Sequence, residues 1–381
     1  MWIGFLPLSR QIDKFGIWID RVLDLAARVE RGGHMKTMKT LAYKSIGKIV
    51  LEERPIPRIT SHQQVLLKVI ACGICGTDVK ILEGKHVVGE NAVLGHEFVG
   101  TVVEVGTGVG TLAVGDRVAV DNSLRCGLCE FCRSGMSSQC SWLNDKSIGI
   151  FQDGGYAAYS VVPEHACYKV PDDIDDLAAT QIETLGTVLN GMNVVQMQPW
   201  DSVVVLGFGP IGYLFSALAS NCAARVMATE IDAFRLNVAT QLGIAVFDPD
   251  KTDIEKQVLT FTNGKGADIV IDAVGTQLEN AIKYVTPGGK ILAFGMDTSA
   301  RATIVPNTVT RKAIKILGSY IGQNTCLPAI KILQSRRINM VPFFTEVIRL
   351  EDGVSAFSKL GLDLKTLNHI PKRAMKIVIE P

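Results

Sequence analysis

The sequence predicts an α/β protein with a doubly wound parallel sheet in its second half, on three observations. Within SVVVLGFGPIGYLFSALA (residues 202–219), a run of β-branched residues enters Gly207-x-Gly209-x-x-Gly212 and continues as an apolar helix. A second strand, ARVMATE, ends in Glu230, eighteen residues after Gly212. Two more strand patterns, ADIVIDAVG (267–275) and GGKILAFGM (288–296), close on glycine, as strands do where a parallel sheet presents its ligand edge.

From the N-terminus, residues 1–34 look foreign to the rest of the chain. MWIGFLPLSR lacks the basic start, apolar core and cleavage site of a secretory signal, and IDKFGIWIDRVLDLAARVER (12–31) suits an amphipathic helix whose three aspartates argue against a transit peptide. GGHM ends in Met35, and its two glycine codons, one codon upstream of that methionine, can spell the GGAGG ribosome-binding sequence of bacterial messages. Met35 or Met38 is therefore the expected start. Residues 1–34 are expected to be a translated leader, or else an extension covering an oligomer surface.

The next signal is a set of metal-binding side chains in ACGICGTDVK (71–80) and LGHEFVG (94–100). Cys75, His96 and Glu97 offer one sulfur, one imidazole and one carboxylate, each segment lying after a β-like run. Few protein ligands leave a coordination position for water or substrate, the pattern of a working zinc. A buried cysteine pair, a redox C-x-x-C at Cys72 and Cys75, or a core histidine would also fit, but the neighbouring glycines and Asp78, a partner for a ligating histidine, favour the metal. Further along, Cys126, Cys129, Cys132 and Cys140 form C-x2-C-x2-C-x7-C. Two-residue gaps let the thiolates turn onto one ion, and four sulfurs close a structural zinc shell. An iron–sulfur cluster prefers another last gap and a proline after it. Cys72, Cys167, Cys222 and Cys326 are expected to be small buried residues.

For the sheet, Gly207, Gly209, Pro210, Ile211 and Gly212 form a dinucleotide turn, and Glu230 is placed to accept hydrogen bonds from an adenosine ribose and repel a 2′-phosphate. NAD is thus expected over NADP, with Arg235 softening the preference; Asp232 and Arg235 read first as helix-start charges.

Bulk properties exclude other classes. Thirty-nine basic against 38 acidic residues leave a net charge of +1, so no field gathers nucleic acid or anionic lipid. The apolar run at 203–219 is broken by glycines and a proline and falls short of the roughly 20 residues that span a bilayer. The expected partner is a small molecule, with no nucleic acid and no membrane.

From about residue 39 the chain resembles the zinc-dependent medium-chain dehydrogenases, in the polyol (sorbitol-type) and threonine dehydrogenase branch. CGICGTD, GHE, the four-cysteine lobe, GFGPIG, DAVG, PGGK and the closing KIVIEP occur in family order over nearly the whole chain. The resemblance implies a GroES-like β-rich catalytic domain over 35–185, including the structural zinc lobe at 125–141, a Rossmann domain over 186–325, and a C-terminal return over 326–381. It makes Cys75 and His96 catalytic zinc ligands, Glu97 a ligand or exchangeable near-ligand, and Glu183, in IETLGTVLN, the remaining ligand, with Thr184 replacing a usual proline. Thr77 is the hydroxyl that takes the alcohol proton; Lys80 stands where a relay histidine is usual and reads first as a solvated lysine, as His86 reads as surface. Val274 and Gly275 would line the nicotinamide side and Gly318 the nicotinamide ribose, in a stretch that is otherwise an interface edge strand. The implied reaction is NAD-dependent oxidation of a secondary alcohol, most simply a polyol, by hydride transfer from a zinc-bound alkoxide, with L-threonine oxidation as the near alternative and a catalytically silent zinc-binding structural or nucleic-acid-binding protein as the alternative from another class. Two zincs per chain, a homodimer or homotetramer, and a cytoplasmic, bacterial setting complete the expectation.

Overall fold

The computed structural model describes residues 36–381 except 223 and 242. The expected leader and its amphipathic helix lie outside the described residues. Met38–Pro381 forms one compact unit.

Three sheets organise it. Strands β1 (Thr37–Ser45) and β2 (Lys48–Pro55) pair with each other. A seven-stranded sheet contains β3 (Gln64–Gly73), β4 (Glu97–Val105), β5 (Arg117–Val120), β6 (Tyr159–Pro163) and β7 (Cys167–Lys169), and is completed by the last two strands of the chain, β14 (Phe344–Arg349) and β15 (Lys376–Glu380). Its order is β14-β15-β3-β4-β5-β7, with β6 on β3. The third sheet is six-stranded and parallel. Its strands are β8 (Ser202–Leu206), β9 (Arg225–Thr229), β10 (Ala245–Phe247), β11 (Ala267–Asp272), β12 (Val285–Ala293) and β13 (Lys315–Gly318). They are ordered β10-β9-β8-β11-β12-β13. The order reverses beside β8, which puts a topological switch point at the glycine turn.

All five residues of β8 are buried, as a central parallel strand covered on both faces requires. Proline opens the helix Pro210–Asn221 at its first position, where a missing N–H costs nothing. After β13 the helix Cys326–Gln334 packs on the helix Ile182–Val195, and Ile330 and Leu333 join the core around Val203, Phe215 and Leu292. Only then do β14 and β15 return to the β-rich sheet, β15 pairing antiparallel with β3. The sequence placed the return at residue 326, but its first helix is packed on the parallel-sheet side, because its apolar face matches that core.

Among the described residues, no helix is long and apolar enough to cross a membrane. Of the four cysteines expected to be buried, Cys72 and Cys326 are, Cys167 is half-buried and Cys222 is exposed. Cys222 is the C-cap of the helix Pro210–Asn221, beyond its last helical residue and outside the apolar face that the helix buries.

Candidate metal centre and coenzyme turn

Cys75 sits at the head of the helix Gly76–Leu82, directly after β3. Its N–H donates to Asp78 Oδ2 at 2.9 Å, which holds the first turn. His96 ends the approach to β4 and is 4% exposed; Glu97 is the first residue of that strand and fully buried. β3 and β4 pair so that Gly73 faces Glu97, and a Cβ at Gly73 would lie 2.4 Å from Glu97 Oε2. The sheet register thus brings sulfur, imidazole and carboxylate together, with all ligand atoms within 4.8 Å of one another.

These groups suit a cation. Burial pushes the Cys75 thiol well up, so a thiolate there needs a positive neighbour. Asp78 is wholly buried and also accepts from Tyr156 Oη at 2.8 Å, leaving its Oδ1 without a partner. His96 Nδ1 is likewise unpartnered and lies 3.7 Å from that oxygen. A hydrogen bond between these two atoms would satisfy both and leave Nε2 for a metal.

Glu97 is already engaged. Lys376 of β15 donates to both carboxylate oxygens at 2.6 and 2.8 Å, Thr184 Oγ1 at 2.7 Å and Gln181 Nε2 at 3.2 Å. Burial alone would raise this carboxyl; the Lys376 and His96 charges and the hydrogen bonds from Lys376 and Thr184 together outweigh it, and the net position is below the usual carboxylate range. Sequence reasoning named neither Lys376 nor Gln181. The available signal was a lone lysine inside the apolar strand AMKIVIE, since an unpaired buried lysine is rarely tolerated.

Glu183 begins the helix Ile182–Val195, is half-buried, and stays outside the three-residue group. It feels that group: burial pushes its carboxyl up to about 7, against the pull of His96. Thr77 Oγ1 lies 3.7 Å from Cys75 Sγ. Lys80 is not simply solvated. It is half-buried and its ammonium donates to the carbonyl of Met296, just beyond β12. Gly295 packs on Val274 and Gly275, where a Cβ would come within 2.2 Å of the Val274 carbonyl carbon. The helix headed by Cys75 therefore abuts the loops after β11 and β12. His86 is half-buried, its Nδ1 2.7 Å from the Val87 carbonyl.

The glycine turn forms after β8 as expected. Gly207 has φ +92°, a conformation that favours glycine, and a Cβ on Gly212 would lie 1.9 Å from the Gly207 carbonyl oxygen. Gly209 caps the helix Pro210–Asn221, so N–H groups, Ile211 and Gly212 among them, face the turn where an anionic phosphate is favoured. Glu230 comes directly after β9 with both oxygens fixed by N–H groups: Ile231 and Asp232 at 2.9 and 3.0 Å, Phe208 at 3.1 Å. Asp232 accepts from Arg235 N, a helix-start role as read, but the Arg235 guanidinium lies 3.7 Å from Glu230 and beside Gly209. Gly318 ends the edge strand β13.

The four-cysteine lobe is separate. Cys129 precedes the short helix Glu130–Arg133, which carries Cys132, and a single 3-10 turn, Ser137–Gln139, delivers Cys140. The excursion between Cys132 and Cys140 is largely turn structure. The four sulfurs lie within 4.8 Å of one another, with Cys126 to Cys140 at 3.6 Å and Cys126 to Cys132 at 3.9 Å. Four sulfurs about 2.3 Å from a central zinc stand about 3.8 Å apart, so the cage has the right size. N–H groups of Leu128 and Cys129 point at Cys126 Sγ at 3.4 and 3.3 Å and pull that thiol down to about 6.

A family model for the alcohol dehydrogenase GroES-like domain matches residues 61–172, and one for zinc-binding dehydrogenases matches residues 210–335. The chain is 33% identical over 353 residues to D-xylulose reductase A of Aspergillus oryzae, covering 88% of this chain and 98% of that protein. Among solved structures, a Sinorhizobium meliloti 1021 protein bound to NADP superposes with TM-score 0.83 at 27% identity, covering 91% of this chain and 100% of the other. The short chain alcohol dehydrogenase RspB of Escherichia coli CFT073, complexed with NADH, gives TM-score 0.82 at 27% identity over 91% and 99%.

Proposed function

The chain belongs to the zinc-dependent medium-chain dehydrogenases of the alcohol dehydrogenase superfamily, and on that premise we propose that it oxidises a secondary alcohol of a polyol to the ketone, with NAD as hydride acceptor. One observation carries the reading: Lys80 ties the helix headed by Cys75 to Met296, so the sulfur–imidazole–carboxylate group abuts the loops after β11 and β12. Those loops are the ligand edge of a parallel sheet. A relative named for reducing D-xylulose, a ketose, supports a polyol–ketose pair, because the reverse of ketose reduction is oxidation of a secondary alcohol.

Cys75 and His96 hold a catalytic zinc in this reading, with Glu97 and Glu183 as the carboxylates that can complete its shell. The cage of Cys126, Cys129, Cys132 and Cys140 holds a second, structural zinc, giving two per chain. Zinc supplies Lewis acidity that lowers the proton affinity of an alcohol oxygen, and the dinucleotide supplies the hydride acceptor. Asp78 orients His96 through Nδ1. Thr77 takes the substrate proton at Oγ1 as it releases its own hydroxyl proton onward, to Lys80, to water or to Glu97. Gly207, Gly209, Pro210, Ile211 and Gly212 cradle the pyrophosphate, and Val274, Gly275 and Gly318 flank the nicotinamide half. The Glu230 carboxylate, held in place by three N–H groups, favours NAD by repelling a 2′-phosphate, and Arg235 tempers that preference. The β-rich domain over 35–185, the coenzyme domain over 186–325 extended by the helix Cys326–Gln334, and the return of β14 and β15 belong to the same proposal, as do the homo-oligomer and the cytoplasmic setting.

The test is NADH formation at 340 nm over polyols, inositols, polyol phosphates and L-threonine, with NAD and NADP in parallel and zinc counted by mass spectrometry. A polyol signal with NAD and two zincs per chain is expected. A signal confined to L-threonine would replace the substrate class, and one zinc with no turnover would overturn the catalytic site.

A further inference from the structure

The stretch between β13 and the helix Cys326–Gln334 is held from two sides. Ile321 has φ +47° and Asn324 φ +55°; a β-branched residue at positive φ persists only where its surroundings over-determine it. From one side, Asn190 of the helix Ile182–Val195 donates to the Ile321 carbonyl at 2.8 Å and to Ser319 Oγ at 3.3 Å. From the other side, the four-cysteine lobe takes the next carbonyl: Arg125, one residue before Cys126, donates to Gly322 O at 2.5 Å. Gln323 then donates through Nε2 to the Gly135 carbonyl and accepts from Ser138 Oγ at 3.3 Å, two residues within the Cys132–Cys140 excursion.

Successive carbonyls of one strained segment are thus gripped by a helix and by the metal lobe. We propose that the four-cysteine lobe, through Arg125 and Gln323, positions the segment 319–325 and with it the Gly318 end of β13 for the nicotinamide half of the coenzyme. Arg125 and Gln323 are positioning residues: they touch no reacting atom and act through the backbone they hold. The lobe therefore does more than stabilise its own fold; its geometry is passed to the coenzyme. This rests on the reading of β8 to β13 as the coenzyme-binding sheet.

The experiment uses the zinc-loaded full chain and Gln323→Ala, whose side chain can be lost without stranding a buried charge. NADH binding is followed by fluorescence and ADP-ribose binding by calorimetry, the second probe lacking the nicotinamide. The expected result is an NADH dissociation constant raised about tenfold, the loss of one to two modest hydrogen bonds, with ADP-ribose affinity within twofold of the parent and two zincs retained. NADH affinity within twofold of the parent would overturn the proposal, as would an equal loss for ADP-ribose. Failure of the unsubstituted protein to bind either nucleotide would instead remove the underlying coenzyme reading. Hydrogen exchange supplies the reverse check: Cys129→Ser should raise exchange across 319–325, and unchanged exchange there in the folded variant would count against the coupling.

Discussion

The four-cysteine lobe draws its ligands from fifteen consecutive residues of one loop, whereas Cys75, His96 and Glu97 are brought together by the pairing of β3 with β4. In the lobe, three of the four cysteines are half-buried and the chain around them shows Leu128, Phe131 and Met136 to solvent. At the other site, Asp78, His96, Glu97 and Lys376 are at most 4% exposed. Local spacing suffices where four sulfurs need only meet an ion. A site that must keep an open position needs a buried frame to orient each ligand, and that frame comes from distant strands.

The largest expected effect separates the two regions by chemistry. Cys75→Ser should lower turnover by roughly 10⁴-fold or more, about 5 kcal/mol of barrier, with far-ultraviolet circular dichroism unchanged and zinc falling from two to one. Equal loss of fold in Cys75→Ser and Cys129→Ser would erase the distinction. Next comes the buried frame: Lys376→Met strands the Glu97 carboxylate and should cost about 3–5 kcal/mol in urea unfolding, much of it recovered by adding Glu97→Gln. Removing a cage ligand should act mainly on stability. Cys129→Ser is expected to release one zinc and lower Tm by roughly 3 °C, the equivalent of about 2–3 kcal/mol in a chain of this size, while residual folded protein keeps its catalytic zinc.

The smallest effect calibrates the others at a half-buried surface ion pair. Glu52 lies 2.6 Å from Lys44 Nζ and 2.8 Å from Arg54 Nε, and the Lys44 hydrogen bond holds its carboxyl below the ordinary value of 4.5. Its stabilisation is therefore full above pH 4.5 and lost as pH falls through the lower folded value. Glu52→Gln should cost about 0.5 kcal/mol at pH 7 and nothing below that window; a cost that persists in acid would point to packing instead.

Much of the parallel sheet was legible because its signals are local. β8, the turn at Gly207 and the helix Pro210–Asn221 lie in twenty residues whose sterics allow little else: Gly212 has no room for a Cβ. The cage was equally readable from C-x2-C-x2-C-x7-C. Lys80 was misread as solvated because its partner, Met296, is 216 residues away. Cys222 was misread as buried because a cysteine's type says nothing about where a helix ends.

The sequence by itself determined the elements and the ligand types: spacing decides which sulfurs can share an ion, and periodicity decides which faces are apolar. Only the tertiary structure decided that Lys376, five residues from the chain end, neutralises Glu97, that Asp78 faces His96, and that Arg125 and Gln323 hold the segment after β13. These contacts join residues up to 279 positions apart, and no local preference encodes them. The first arises from β15 returning to pair with β3, which buries charges that must then find partners within a few ångströms or not be there at all.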